Sequence, residues 1–355
     1  NTRQKPSECG RIWSINCELH HPSLGGKMVA IQLPEPQQKI IGNRTVPLVL
    51  DGEGMSSEDA VAYFTEHQNE LSDQLLQHGG VVFRNFGMNS PEDACAVLKV
   101  FESAKKYHSM MGGGGPRRFV CGPLQTSTES PPAVHIPMHH EVAYLSSPPS
   151  TLIFYCVLPS AEGGETPIAI SSDIVARIRT ELPELVENIK KHGVIYSRTM
   201  ADQAHCKRDV QRSWQEAFDT TDRLVAEERA KACGTASVTW NEASGQMLLK
   251  SEVFPGIGED TRRGESEETW YNAIVLLHPA ANGYERDEDA PWNVSLGNGE
   301  MFRKEDIVAA RRIMSENVVA FKWQKGDLFF VDNKIALHSR NPFEPPRQIL
   351  ATMWE

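Results

Sequence analysis

Apolar and polar positions along the chain fall into short blocks whose period changes from one to the next. Residues 1–50 show little periodicity and are rich in Pro, Gly and polar side chains; they predict an irregular arm with a short strand or two. The first regular block follows Ser56, where Ser56 and Asp59 make a capping box and Ala60, Val61, Phe64, Leu71 and Leu75 mark one helical face. Gly79-Gly80 closes it, and Val81-Val82-Phe83 reads as a buried strand. A second helix is predicted from Ser90-Pro91 to about Lys106, since proline suits a first turn. Beyond it, Gly112 to Arg118 reads as a flexible basic loop; no Lys-Ser/Thr follows the glycines, so P-loop spacing is absent.

Further on, Thr151–Leu158 (TLIFYCVL) is strand-like and leads into the turn Glu162-Gly163-Gly164-Glu165-Thr166. Residues 172–231 have helical composition, with 209–231 predicted as one long charged, solvated helix. Strand-like runs return at 236–240 and 246–249. A helix over about 303–315 would put Lys304, Glu305 and Arg311 outside and Ile307, Val308 and Ile313 inside. The remainder alternates turns with apolar runs at Val318–Trp323, Asp327–Val331, Ile335–His338 and Gln348–Trp354. Strands without helical crossovers pair antiparallel, and a sheet of this extent closes best as a barrel or jelly roll. The fold expected is mixed α+β: a jelly-roll core with flanking helices and a long helical insertion or lid at about 172–231. No repeat or linker divides the chain, so 1–355 is expected to be one domain.

Composition narrows the function classes. A formal charge of −11 disfavours a nucleic-acid binder or an anionic membrane surface, both of which call for surplus Lys and Arg. No apolar run approaches the roughly 18 residues of a membrane-spanning helix. Seven scattered cysteines (Cys9, Cys17, Cys95, Cys121, Cys156, Cys206, Cys233) contain no CxxC pair, which fits isolated thiols better than a disulfide framework or a zinc knuckle. A soluble, cytoplasmic protein is expected; the start at Asn1 leaves a removed targeting peptide open. Nothing in the chain specifies an oligomeric state.

The chemistry concentrates at His139-His140-Glu141. If this segment is extended, i and i+2 share a face, so His139 and Glu141 point together and His140 points away, suited to a supporting hydrogen bond. A His-x-Glu pair with a distant histidine is the 2-His-1-carboxylate pattern, which occupies one face of an octahedral iron and leaves three positions open. His338, closing an apolar run near the C-terminus, supplies the distant histidine. Arg347 beyond it is a cation whose planar fork grips a carboxylate. The other histidines lack a partner at ligand spacing; among them His278, at a strand end before Pro279, is the best outside candidate for a ligand.

With these pieces in place the chain resembles the TauD/TfdA-like, clavaminate-synthase-like branch of the Fe(II)/2-oxoglutarate-dependent dioxygenases over roughly residues 75–355. The matching segments come in order: Gly80-Val81-Val82-Phe83-Arg84-Asn85-Phe86, His139-His140-Glu141, Gly163-Gly164-Glu165-Thr166, Trp270-Tyr271-Asn272, and His338 with Arg347. The resemblance implies a double-stranded β-helix and iron on His139, Glu141 and His338. It also implies Arg347 on the distal carboxylate of 2-oxoglutarate, with Thr166 helping to hold that co-substrate. The position after Arg347 is Gln348 where relatives often carry a second arginine, so Arg340 stays a secondary candidate. The stretch between His139 and His338 is longer than is usual for the family, which makes transfer of a substrate from relatives unsafe. Oxidation of a small, polar or amino-acid-derived metabolite by oxygen is implied, with release of succinate and CO2 and with hydroxylation, desaturation or ring closure as outcomes. Tyr144, Arg117, Arg118, Arg198 and Asn272 are candidate substrate contacts. Two rivals use the same fold: a zinc or manganese isomerase or hydrolase, which would need neither Arg347 nor 2-oxoglutarate, and a non-catalytic binding protein.

Overall fold

The computed structural model describes residues 18–19, 28–101, 117–128, 130–206, 212–284 and 290–355. Its backbone is a nine-stranded, mostly antiparallel sheet faced by a three-stranded one, with helices outside both. The longest strand of the large sheet, Thr151–Leu158, pairs on one side with the central strand Leu328–Asp332 and on the other with Gln348–Trp354. These runs are rich in β-branched and aromatic residues, which suit a pleated surface covered on both faces. Alternation assigns each side chain to a layer. Ile153, Tyr155, Leu328, Phe330 and Leu350 pack with helices Ser57–Glu66 and Pro91–Lys99. Leu152, Cys156, Phe329, Val331, Ile349 and Met353 point the other way, into a core shared with Ile168, Ile170 and Ala336 of the small sheet.

The small sheet consists of Ile168–Ile170, Ala336–Arg340 and Ile136–His139, in the order Ile168–Ile170, Ala336–Arg340, Ile136–His139. Its far face packs on helices Ser171–Glu181, Pro183–His192, Ile274–Leu277 and Lys304–Glu316. Inside the large sheet, Arg84 meets Asp327 through two hydrogen bonds, Nε at 3.0 Å and Nη2 at 2.8 Å. Burial pushes the Asp327 carboxyl up despite the guanidinium beside it.

Several sequence expectations need correction. Residues 28–51 hold more strand than the one or two expected in the irregular arm over 1–50: Met28–Ile31 and Leu48–Asp51 belong to the large sheet, the latter pairing parallel with Gly80–Arg84, and Lys39–Ile41 pairs with Arg44–Val46. The helix after Ser56 is two helices, Ser57–Glu66 and Gln68–His78, because His67 leaves helical geometry between them. Ser56 does cap the first, and Gly79 ends the second in the left-handed conformation. The second predicted helix runs over Pro91–Lys99; its expected end and the Gly112–Pro116 loop lie outside the described residues.

The 172–231 insertion is only partly helical. Strand Val194–Met200 interrupts it, pairing with Gln246–Ser251 and Trp292–Leu296 in a four-stranded sheet with Thr235–Asn241. The long charged helix is two short ones, Trp214–Phe218 and Arg223–Ala232, separated where Asp219 turns left-handed; 209–211 lie outside the described residues. Helical composition lost here to strand pairing, a non-local contact that composition does not report. Val308 is 52% exposed rather than inside, and Val318–Trp323 forms only an isolated bridge at Val319. No described helix is long and apolar enough to cross a membrane. Cys95, Cys121, Cys156, Cys206 and Cys233 are free thiols.

Candidate functional site

Cross-strand register brings the two histidines together. His139 and His338 are direct partners on adjacent strands of the small sheet, their ring centroids 4.3 Å apart. His139 Nδ1 donates to the Pro137 carbonyl at 2.8 Å, which leaves Nε2 with its lone pair toward the cavity. Glu141 arrives differently from the extended geometry expected. The strand ends at His139, and residues 141–144 form a turn in which Val142 sits at φ +57°, rare for a β-branched residue. That turn carries the Glu141 carboxylate back, with Oε2 3.3 Å from His139 Nε2 and 3.7 Å from His338 Nε2.

Asn333 holds the turn, a residue that sequence reasoning missed. Its side chain accepts from Glu141 N at 2.8 Å and donates to the carbonyls of Glu141 and Pro149. The sequence offered only a polar break, Asp332-Asn333-Lys334, between two apolar runs; that Asn333 is fully buried there is decided by the fold. His140 does point away, as expected. Its Nδ1 donates to the Asn333 carbonyl at 2.6 Å and its Nε2 accepts from Ser171 Oγ at 3.0 Å. Burial pushes His140 down to about 3, so it stays a neutral scaffold.

Three donors, one each from His139, Glu141 and His338, lie within 4.8 Å of one another. Two imidazoles and one carboxylate are a suitable donor set for a divalent transition metal. His338 Nδ1 is buried without a hydrogen-bond partner among the described residues, while burial, and then the neighbouring His139, hold His338 well below the ordinary histidine range. A neutral imidazole is the form that ligates a metal. Burial would raise the Glu141 carboxyl, but Arg117 and the histidines outweigh it and keep it below the usual range.

The donors open into a cavity whose lining includes Arg117, Thr128, Phe154, Thr166, Arg340 and Arg347. Arg347 Nε donates to the Gly164 carbonyl at 2.8 Å. The backbone can approach so closely because Gly164 has no side chain; at φ +75° a Cβ would lie 2.8 Å from the Arg347 side chain. Burial pushes Arg347 down to about 10. Arg340 is tied up by the carbonyls of Ser130, Pro131 and Val134, whereas the Arg347 terminal nitrogens have no hydrogen-bond partner among the described residues.

The remaining candidates separate. Arg117 reaches the site and pairs with Glu141. Arg118 is exposed and outside the cavity lining. Tyr144 and Arg198 line a second pocket with Tyr196, Phe218 and Trp292, where Arg198 stacks on Trp292 at 4.6 Å. Asn272 is structural: it donates to the Gly256 carbonyl and accepts from Ile274 N. His278, the outside ligand candidate, caps a short turn through Ala280 N.

The fold agrees with comparison to known proteins. The family model described as taurine catabolism dioxygenase TauD, TfdA family, matches residues 45–354. The chain belongs to this family. It is an iron- and 2-oxoglutarate-dependent dioxygenase, and the matched span begins earlier than the expected 75. A clavaminate synthase-like protein of Arabidopsis thaliana is 33% identical over 335 residues, covering 92% of this chain and 99% of that one. The dapdiamide synthesis protein DdaC of Enterobacter agglomerans is 26% identical over 308 residues, covering 83% and 87%. Among solved structures, PvcB of Pseudomonas aeruginosa shares the fold with a TM-score of 0.52 at 14% identity, covering 95% of this chain and 94% of that one.

Proposed function

We propose that this dioxygenase holds its iron on His139, Glu141 and His338 and oxidises a small polar or amino-acid-derived metabolite. The observation that carries the reading is a single cavity with the three donors facing into it and Arg347 and Thr166 in its lining. Bound iron supplies oxygen activation coupled to decarboxylation of 2-oxoglutarate to succinate and CO2. The protein's own groups bind and orient. The Arg347 guanidinium takes the distal carboxylate of 2-oxoglutarate, Thr166 Oγ1 adds a hydroxyl contact, and Arg340 ties down the carbonyls of Ser130, Pro131 and Val134, between the cavity-lining Thr128 and Ile136. Phe154, Ile349 and Met353 wall the cavity with apolar surface and restrict water. We assign the paired sheets to a double-stranded β-helix within one catalytic domain.

The substrate class draws support from the cavity's mixed lining, where arginines beside apolar walls offer cations to a polar or anionic group. The dapdiamide-synthesis relative points the same way. Hydroxylation, desaturation and oxidative ring closure are the outcomes open to such a site. Aerobic incubation of the iron-loaded protein with 2-oxoglutarate and a panel of amino-acid-derived compounds tests the proposal by succinate release and product mass. A gain of one oxygen marks hydroxylation, and loss of two hydrogens marks the other outcomes. Turnover of apolar compounds alone would overturn the substrate class, and activity retained in His139→Ala would overturn the ligand assignment.

A further inference from the structure

Glu141 offers two carboxylate oxygens, and the fold gives them different neighbours. Oε2 faces the imidazoles, 3.3 Å from His139 Nε2 and 3.7 Å from His338 Nε2. Oε1 turns away and accepts from Arg117 Nη2 at 2.8 Å. The two side chains are only 10% and 11% exposed, so solvent and salt screen the pair weakly. A charge-assisted bond of this length is among the stronger contacts available to a side chain. Arg117 comes from neither element that carries the donors. It precedes strand Phe119–Cys121, the far edge of the large sheet, which joins the strand after Arg347 through Leu124–Thr126.

The division matters because a carboxylate can give a metal one oxygen or two. Two imidazoles and one oxygen leave three of six positions free, and a second oxygen would take one of those three. We propose that Arg117 is a positioning residue that keeps Oε1 of Glu141 off the metal, so that Glu141 ligates through Oε2 alone. This rests on the ligand assignment above and adds a role to a residue outside the ligand set. It also accounts for a cation buried beside a metal site, where its charge would otherwise oppose the metal's. The guanidinium takes that charge onto the oxygen the metal does not use. A lysine ammonium, lacking the planar fork, would reproduce the bond only in part.

The test compares Mn(II)-loaded wild type, Arg117→Lys and Arg117→Met by crystallography, with 2-oxoglutarate titrated into each by calorimetry under nitrogen. The wild type should show one Glu141 oxygen on the metal and Arg117 on the other. Arg117→Met should show both oxygens on the metal and bind 2-oxoglutarate about tenfold or more weakly, within the range for loss of a group that supports a ligand. Arg117→Lys should fall between them. Two-oxygen ligation in the wild type would overturn the proposal. So would one-oxygen ligation in Arg117→Met, whatever its 2-oxoglutarate affinity, since the arginine would then act elsewhere. His338→Ala, titrated with Mn(II) alone, keeps the two readings apart. Lost binding upholds the ligand assignment, and unchanged binding overturns that assignment independently of Arg117.

Discussion

Two pockets in this protein carry similar side chains and differ in what faces what. The cavity in front of His139, Glu141 and His338 is walled by the large and small sheets; its two histidines and Arg340 lie on strands in fixed register, and Glu141, Arg117 and Arg347 on short segments that flank strands. The pocket around Tyr144, Arg198 and Trp292 has aromatic walls and an arginine too, but it is built from the four-stranded insertion sheet and short helices. The described metal-donor cluster belongs to the first alone. An arginine in an aromatic pocket is common; converging lone pairs demand a scaffold that has already met the entropic cost of placing them.

The largest effect that tests this contrast is loss of a donor. His338→Ala should weaken Fe(II) or Mn(II) binding by more than about 100-fold, the upper end for loss of a supporting contact, and bring succinate release to background. A metal titration reads the first and coupled succinate detection the second; chelation of the wild type should mimic the variant and be reversed by iron.

The next effect lies at the co-substrate anchor in the same cavity. Arg347→Met removes a hydrogen bond to a charged group, about 1.5–3 kcal/mol, so the 2-oxoglutarate concentration for half-maximal rate should rise roughly 10- to 100-fold. Metal affinity measured without 2-oxoglutarate should stay as it was. A fall in metal affinity of the same size would erase the division of labour between anchor and donors.

A smaller effect concerns how the large sheet's end is tied to the Gly258–Asp260 hairpin strand. Arg262 binds Asp260 and Asp332, with Nη contacts of 2.8 and 2.9 Å. Burial would raise the Asp260 carboxyl, but the Arg262 hydrogen bonds prevail and hold it below the usual range. A carboxyl lowered on folding adds stability above its unfolded pKa, and that stability is lost as pH falls through the folded value. Arg262→Met should therefore cost about 1 kcal/mol near neutral pH, since its guanidinium is 35% exposed, and progressively less below about pH 4. Urea melts across pH measure it; a constant penalty would mean that the ion pair contributes nothing.

The smallest effect is expected in the second pocket. Arg198→Met should leave metal and 2-oxoglutarate affinities within about twofold of wild type, a change below roughly 0.5 kcal/mol. A larger shift in either affinity would show that the two pockets are coupled.

Much of the metal site was legible because its chemistry is carried by residue type. His139, Glu141 and His338 stand out in sequence, and so does an arginine that could grip a carboxylate. Less legible was how they meet. The extended-strand argument chose His139 over His140, yet Glu141 reaches the site through a turn at Val142 that Asn333 clamps. Arg117 and Arg198 were equals in sequence; one now touches Glu141 and the other stacks on Trp292. The insertion was misjudged for the same reason. Composition over 172–231 favours helix, and Val194–Met200 became strand because Gln246–Ser251 and Trp292–Leu296 were there to pair with it.

By itself the sequence determined the local things: strand alternation in Thr151–Leu158, the Ser56 cap, the left-handed Gly79, and the donor types. These depend on neighbours within a few residues, where side-chain periodicity and backbone preference act directly. Tertiary structure decided which arginine meets which carboxylate, which oxygen of Glu141 faces the histidines, and which aromatic residues share a pocket. Those choices depend on register between strands far apart in the chain, and a one-residue slip would turn every such side chain to the opposite face.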